Sequence, residues 1–219
     1  MLYPSPVARL AALTLLALLC ACAPIATDGV TRLDFEPVLE ESANIQARHL
    51  LRRQKVPRDS FMTIREAIAK APDGSPILTC HRAARLANFW GPCSHIARKL
   101  SGDRIAETIG PIPGQDRVGV YPARRLERYY AVMVLDVGQR PEDLAVLERE
   151  TERLAGSPYD LSENPGTFYC SNFQNHLERA LGRPDLIPRH PVIGLALPAD
   201  VLLQPRVKVL YVGVNPRAE

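Results

Sequence analysis

The segment 129–137 is apolar at every position except Asp136. A continuous apolar run of this length predicts a strand that is buried on both faces. Such a strand belongs in the interior of a sheet that has other elements packed on it. We therefore expect a sheet with residues 129–137 away from its edges and with helices covering it.

Weaker patterns predict the remaining elements. Further strands are predicted at residues 77–80, 94–100, 104–109, 118–121 and 207–214. Helices are predicted at residues 40–55, 61–70, 141–155 and 170–181. Helices, then a meander of strands, then helices and a last strand indicate an α+β fold with an antiparallel sheet, not a regular parallel sheet.

The first residues have the pattern of an export signal. Arg9 precedes the apolar run 10–20, which is short for a membrane span and fits the apolar core of a signal peptide. The run ends in Leu19-Cys20-Ala21-Cys22, which resembles a bacterial lipobox, so that cleavage before Cys22 would leave its thiol to carry diacylglycerol. The alternative is an ordinary signal peptide that is cut near Ala23.

This signal predicts where the protein works and how the chain is divided. We expect a signal peptide at 1–21, a lipidated tether at 22–38, an N-terminal helical extension at 39–72 and one main domain at 73–219. Ala23 and Pro24 follow Cys22, with no Asp at the next position. This favours the outer membrane of a bacterial cell envelope, with the protein facing the periplasm.

Composition excludes other classes of protein. The chain has 219 residues and is 46% hydrophobic, which is enough for a compact core. Its 27 basic and 24 acidic residues are interleaved, and the formal net charge is +3. Nucleic acid requires a basic stripe, and the sequence has none. We therefore expect no nucleic-acid partner.

The cysteines divide into three groups: Cys20 and Cys22 in the export signal, Cys80 and Cys93 close together, and Cys170 alone. In an oxidising compartment Cys80 and Cys93 can form a disulfide. Cys170 is then left over, and an unpaired thiol in an exported protein is a candidate reactive group.

Zinc is an alternative use of the paired cysteines. Cys80-His81 and Cys93-Ser94-His95 supply two sulfur and two nitrogen ligands, which is enough for a tetrahedral site. The spacing differs from the usual two-residue gap, and a disulfide is available instead. We therefore expect no metal.

Cys170 begins a predicted helix after a loop rich in turn residues. A helix N-terminus favours the thiolate, and its unpaired N–H groups can hold an oxyanion. The alternative is a small buried apolar residue without a chemical role. His95 and Glu107 lie in two successive predicted strands, and an antiparallel hairpin brings them together if both face one side. A carboxylate beside an imidazole fixes its tautomer and raises its basicity.

Several short motifs follow one another in a specific order. They are Ser94-His95-Ile96-Ala97, Ile105-Ala106-Glu107-Thr108, Gly119-Val120, Val134-Leu135-Asp136-Val137, Gly156-Ser157-Pro158-Tyr159-Asp160 and Phe168-Tyr169-Cys170-Ser171. Together they resemble the permuted papain-like amidases of the YaeF/YiiX type. These are relatives of NlpC-type cysteine peptidases in which the His precedes the Cys. The resemblance covers roughly residues 74–185, about half of the chain.

The resemblance implies a circularly permuted papain-like (NlpC-like) fold and an activity. By matching motif, Cys170 would be the nucleophile, His95 the base and Glu107 the residue that orients the imidazole, with Tyr159 near the pocket as a substrate contact. The expected reaction is hydrolysis of an amide in a peptide or lipid through an acyl-enzyme, with no cofactor. Arg98 and Lys99 depart from the pattern, since the family prefers apolar residues there, and Asn172 stands where the family often has Glu.

Two other functions remain as alternatives on the same fold. One is an inactive envelope lipoprotein that acts as a binding module. The other is a lipid acyltransferase or thioesterase that uses the same three side chains on an ester.

Overall fold

The structure is a computed structural model that describes residues 60–81, 93–110, 116–191 and 194–215. The predicted signal peptide, the tether with Cys22 and the predicted helix at 40–55 lie outside these ranges and stay predictions. No helix within the described ranges combines the length and the apolar character needed to cross a membrane.

Seven strands, three α-helices and two 3-10 helices make up the described part of the chain. In chain order they are β1 (Phe61–Thr63), α1 (Ile64–Lys70), β2 (Pro76–Cys80), β3 (His95–Lys99), β4 (Arg104–Thr108), β5 (Val118–Pro122), a 3-10 helix (Ala123–Arg128), β6 (Ala131–Asp136), α2 (Asp143–Leu154), α3 (Cys170–Ala180), a second 3-10 helix (Pro198–Leu203) and β7 (Lys208–Val214).

The strands form one sheet in the order β1-β7-β6-β2-β3-β4-β5. β1 pairs with β7 in parallel, and all other pairs are antiparallel. β6 lies between β7 and β2, and its first five residues are buried. The predicted α+β class and the predicted interior strand are both confirmed.

The predicted helix at 61–70 begins three residues late. Residues 61–63 form a strand, and Thr63 then caps α1: its hydroxyl accepts from the N–H of Glu66, whose carboxylate accepts from the N–H of Thr63. A Cβ at Gly213 would lie 2.7 Å from the Cα of Ile64, so only glycine lets α1 approach β7 this closely. Residues 60–72 therefore pack on the same sheet as the rest of the described chain. The predicted boundary at residue 73 stays a prediction, since residues 39–59 are not described.

The sheet is covered on both faces. Alternate strand residues such as Ile77 and Val132 cluster with α1 and the first 3-10 helix. Their neighbours Leu78 and Met133 face the other way and cluster with Cys170 at the start of α3. The two 3-10 helices were not predicted, because six residues are too few to show a recognisable apolar period.

Candidate active site

The hairpin of β3 and β4 brings His95 and Glu107 together. Arg98 pairs with Ala106 and Lys99 with Ile105, so His95 and Glu107 are diagonal neighbours on one face of the sheet. His95 Nε2 lies 2.7 Å from Glu107 Oε2, with the His95 side chain 12% exposed and that of Glu107 fully buried. The carboxylate therefore accepts a hydrogen bond from the imidazole and fixes its tautomer.

The thiol of Cys170 approaches this pair from the other side. Cys170 is the first residue of α3, is 7% exposed and has no disulfide partner. Its Sγ lies 3.9 Å from the carbonyl oxygen of Ser94, and the side chain of His95 is close enough to lower the pKa of the thiol. Because Glu107 engages Nε2, Nδ1 is the ring nitrogen that is left to face the sulfur.

The electrostatics of the pair favour separated charges. Burial raises the pKa of the Cys170 thiol, but the hydrogen bond and charge of His95, then Ser171 and the backbone of Ile96, bring it below its ordinary value. Burial lowers the pKa of His95, but interactions with Tyr129, Cys170 and Glu107 together raise it well above 6.5. Both shifts stabilise the charged forms of the two groups, a thiolate and an imidazolium, relative to their neutral forms.

The start of α3 is held by a side chain from its first turn. Asn172 Oδ1 accepts from the N–H of Tyr169 at 2.7 Å, which is half of a capping box. The N–H groups of Cys170 and Ser171, in the first turn, have no acceptor within the helix itself. They lie next to the sulfur, where an oxyanion would form after its attack on an acyl carbon.

A cation lies behind the carboxylate. Arg125 Nε is 3.7 Å from Glu107 Oε1, and its guanidinium lies 4.3 Å from the centre of the Tyr121 ring. Sequence reasoning missed Arg125, because the 3-10 helix that carries it was not predicted. The arginine-rich segment 123–128 directly after a predicted strand was the available signal.

Tyr159 lies near the thiol, on the segment that precedes α3. It packs against the apolar cluster that contains Cys170, and burial first, then the charge of Cys170, raises its pKa to about 12. A Cβ at Gly110 would lie 2.2 Å from the Tyr159 ring, so the ring occupies space that only glycine leaves free.

A disulfide joins Cys80 at the end of β2 to Cys93, two residues before His95. The zinc interpretation is therefore wrong, since neither cysteine is a free thiolate ligand. Within the described ranges, no group of three or more His, Cys, Asp and Glu side chains is arranged to hold a metal ion.

Reduction of this disulfide is predicted to destabilise the fold. The crosslinked residues are 13 apart in sequence, and a loop of that length contributes about 3 kcal/mol by restricting the unfolded chain. Urea unfolding with and without a phosphine reductant measures the loss. The free energy of unfolding of the Cys80→Ala/Cys93→Ala protein should equal that of the reduced wild type and should not change when the reductant is added. A loss of less than about 1 kcal/mol on reduction of the wild type would contradict the estimate.

Arg98, a charged residue at a strand position where the sequence resemblance predicts an apolar one, is completely buried between β3 and α3. Its guanidinium donates to Gln174 Oε1 at 3.0 Å, to the carbonyl of Gly74 at 3.1 Å and to Glu178 Oε1 at 2.8 Å. Cys170, Gln174 and Glu178 are spaced four residues apart and share one face of α3. The strand that carries His95 is thus tied to the helix that carries Cys170.

Comparisons with known proteins find similarity among solved structures. No protein-family model matches the chain, and no curated protein matches it significantly. Among solved structures, the crystal structure of the metalloprotein yiiX from Escherichia coli O157:H7, DUF1105, is similar to this chain. The two share 21% sequence identity, the match covers 68% of this chain and 91% of that one, and the TM-score is 0.45. At this identity and TM-score, no family assignment follows.

Proposed function

We propose that this protein is a cysteine hydrolase that cleaves an amide in a peptide or lipid. The observation that carries the proposal is the pairing of His95 with the buried Glu107 at 2.7 Å, beside a free Cys170 at the start of α3 that is close enough for His95 and the thiol to shift each other's pKa. A nucleophile, a base and a group that orients the base are the parts that acyl transfer through a thiol needs. The circularly permuted papain-like fold belongs to the same proposal.

The mechanism follows from the position of each atom. His95 holds the proton of Cys170, and the thiolate attacks the acyl carbon of the substrate. The carbonyl oxygen becomes an oxyanion that N–H groups at the start of α3 can bind. His95 then gives its proton to the leaving amine, and the C–N bond breaks to leave a thioester on Cys170. Water, deprotonated by His95, attacks the thioester and releases the acid.

Two further parts of the proposal concern the surroundings of this site. Tyr159 would contact the substrate, which its closeness to Cys170 supports. Diacylglycerol on Cys22 would hold the protein to the outer membrane, facing the periplasm, and would bring it to substrates in the cell wall or in lipid.

Labelling with an acyloxymethyl ketone, which alkylates activated cysteines, tests the proposed function. The wild-type protein should be labelled at Cys170 within minutes near neutral pH, and Cys170→Ala should not be labelled. Cys170→Ser is the matched control, because it keeps a hydroxyl nucleophile that this reagent does not trap. Labelling of the folded wild type no faster than that of the urea-unfolded protein would reject the hydrolase and favour the binding module.

A further inference from the structure

The ring of Tyr129 lies nearly parallel to the His95 imidazole. The two ring centres are 6.1 Å apart and the planes differ by 10°, so the rings are stacked with an offset. Tyr129 is 6% exposed. The imidazole is thus held between the tyrosine ring and the groups at its edges, Glu107 and Cys170.

Tyr129 is itself fixed from three directions. Its N–H donates to the carbonyl of Leu126 at 3.1 Å, which places it at the end of the first 3-10 helix. Arg128 Nη2 donates to the Tyr129 hydroxyl at 3.3 Å, and its guanidinium carbon lies 5.2 Å from the ring centre. The ring of His81 meets Tyr129 edge-on, with centres 5.0 Å apart.

We infer that Tyr129 is a positioning residue for His95: its ring face fixes the plane of the imidazole and stabilises the imidazolium through a cation–π interaction. The inference rests on the proposed function, in which the imidazolium faces a thiolate. It assigns to Tyr129 a part of the site that none of the three proposed catalytic side chains supplies.

The orientation of the Tyr129 ring determines whether it raises or lowers the pKa of His95. The face of an aromatic ring is the negative end of its quadrupole, so a cation stacked on it is favoured over the neutral form. The charged or titratable groups that act on His95 are Glu107 from β4, Cys170 from α3 and Tyr129. Behind them, His81 and Arg128 contact Tyr129, and Arg125 lies beside Glu107. Burial lowers the pKa of His95, so an imidazolium at this position depends on the groups that surround it.

A series of aromatic replacements tests the inference without changing shape or burial. Tyr129 is replaced in the full chain by phenylalanine and by its mono-, di- and trifluorinated analogues, which progressively weaken the negative ring face. The background is Cys170→Ala, so that the thiol does not titrate with the imidazole. The pKa of His95 is read from the NMR titration of its Cε1–H signal, which is assigned by its loss in His95→Asn.

The pKa of His95 should change little on Tyr129→Phe and should then fall stepwise, by roughly 0.4–1.5 pH units from phenylalanine to the trifluorinated ring. Trifluorophenylalanine at Tyr211, which packs against the same apolar cluster as Tyr129, should leave the titration unchanged. Three results would overturn the inference: a pKa of His95 that is the same in all variants, a change in this pKa only on Tyr129→Phe, or an equal change when the fluorinated residue is at position 211. The titration needs no turnover, so it separates this inference from the proposed function, which the labelling of Cys170 tests.

Discussion

Glu107→Ala is expected to lower the rate of acyl transfer by on the order of 10³–10⁴-fold, as loss of the orienting carboxylate does in other triads. Glu107 Oε2 accepts from Nε2 of His95 and so leaves Nδ1 to take the proton of Cys170. Without the carboxylate, the imidazole loses both its preferred tautomer and the charge that balances its cation. The initial burst of p-nitrophenol released from a p-nitrophenyl ester is a suitable measurement, because its rate reports attack by the thiolate before the acyl-enzyme is hydrolysed.

Glu107→Gln is the matched variant, because it keeps an acceptor for Nε2–H and removes only the charge. Its rate should lie between those of the wild type and Glu107→Ala. The free energy of unfolding of each variant is measured in parallel, since Glu107 is buried beside Arg125. A folded Glu107→Ala protein with a rate within tenfold of the wild type would show that Glu107 has only a structural role.

Arg98→Met is expected to lower the free energy of unfolding by about 3–5 kcal/mol, because it leaves the carboxylate of Glu178 buried without its partner. Both side chains are fully buried and lie 2.8 Å apart. Arg206 stays 3.7 Å from the other oxygen of Glu178, which is farther than a hydrogen bond reaches. Urea denaturation followed by circular dichroism measures the change.

The double variant Arg98→Met/Glu178→Met distinguishes the cost of leaving one buried charge unpaired from the net contribution of the ion pair to the free energy of unfolding. Replacing both charges by apolar side chains of similar volume is often neutral or stabilising, so most of the lost stability should return. Leu147→Ala provides a reference, because Leu147 is fully buried on α2 and its truncation should cost about 2–5 kcal/mol without unpairing a charge. A double variant as unstable as Arg98→Met would contradict this account of the network.

Much of the fold follows from local patterns. The continuous apolar run that becomes β6 and the amphipathic pattern of α3 are both visible within a short stretch of sequence. Both elements lie where these patterns predict them. The parallel pairing of β1 with β7 was not predictable in this way. It joins residues about 150 positions apart, and three residues of strand carry no period of their own.

The residues of the candidate site also differ in whether local sequence patterns predict them. Cys170 is predictable because a helix start has local consequences for a thiol. His95 and Glu107 are predictable together, because an antiparallel hairpin can pair them and the order of the motifs resembles that of a known family. Tyr129 and Arg125 were missed, since their roles depend on where a 3-10 helix places them relative to a hairpin. Arg98 was noticed as a charge in a strand, but its partner Glu178 is 80 residues away and only the folded chain joins them.

The most direct test of the central claim is the pH dependence of Cys170 alkylation by iodoacetamide in the wild type and in His95→Ala. Only the thiolate reacts, so the rate rises with pH through the pKa of the thiol. His95 holds that pKa below 9.0, and without His95 the remaining effect of burial should carry it above the wild-type value. His176→Ala is the control, because His176 lies on the same helix with Glu150 as its partner at 3.3 Å. We predict a wild-type midpoint below 9.0 that moves to higher pH in His95→Ala and stays in place in His176→Ala. A wild-type midpoint at or above 9.0, or one that His95→Ala leaves unchanged, would contradict the thiolate–imidazolium pair on which the proposed function depends.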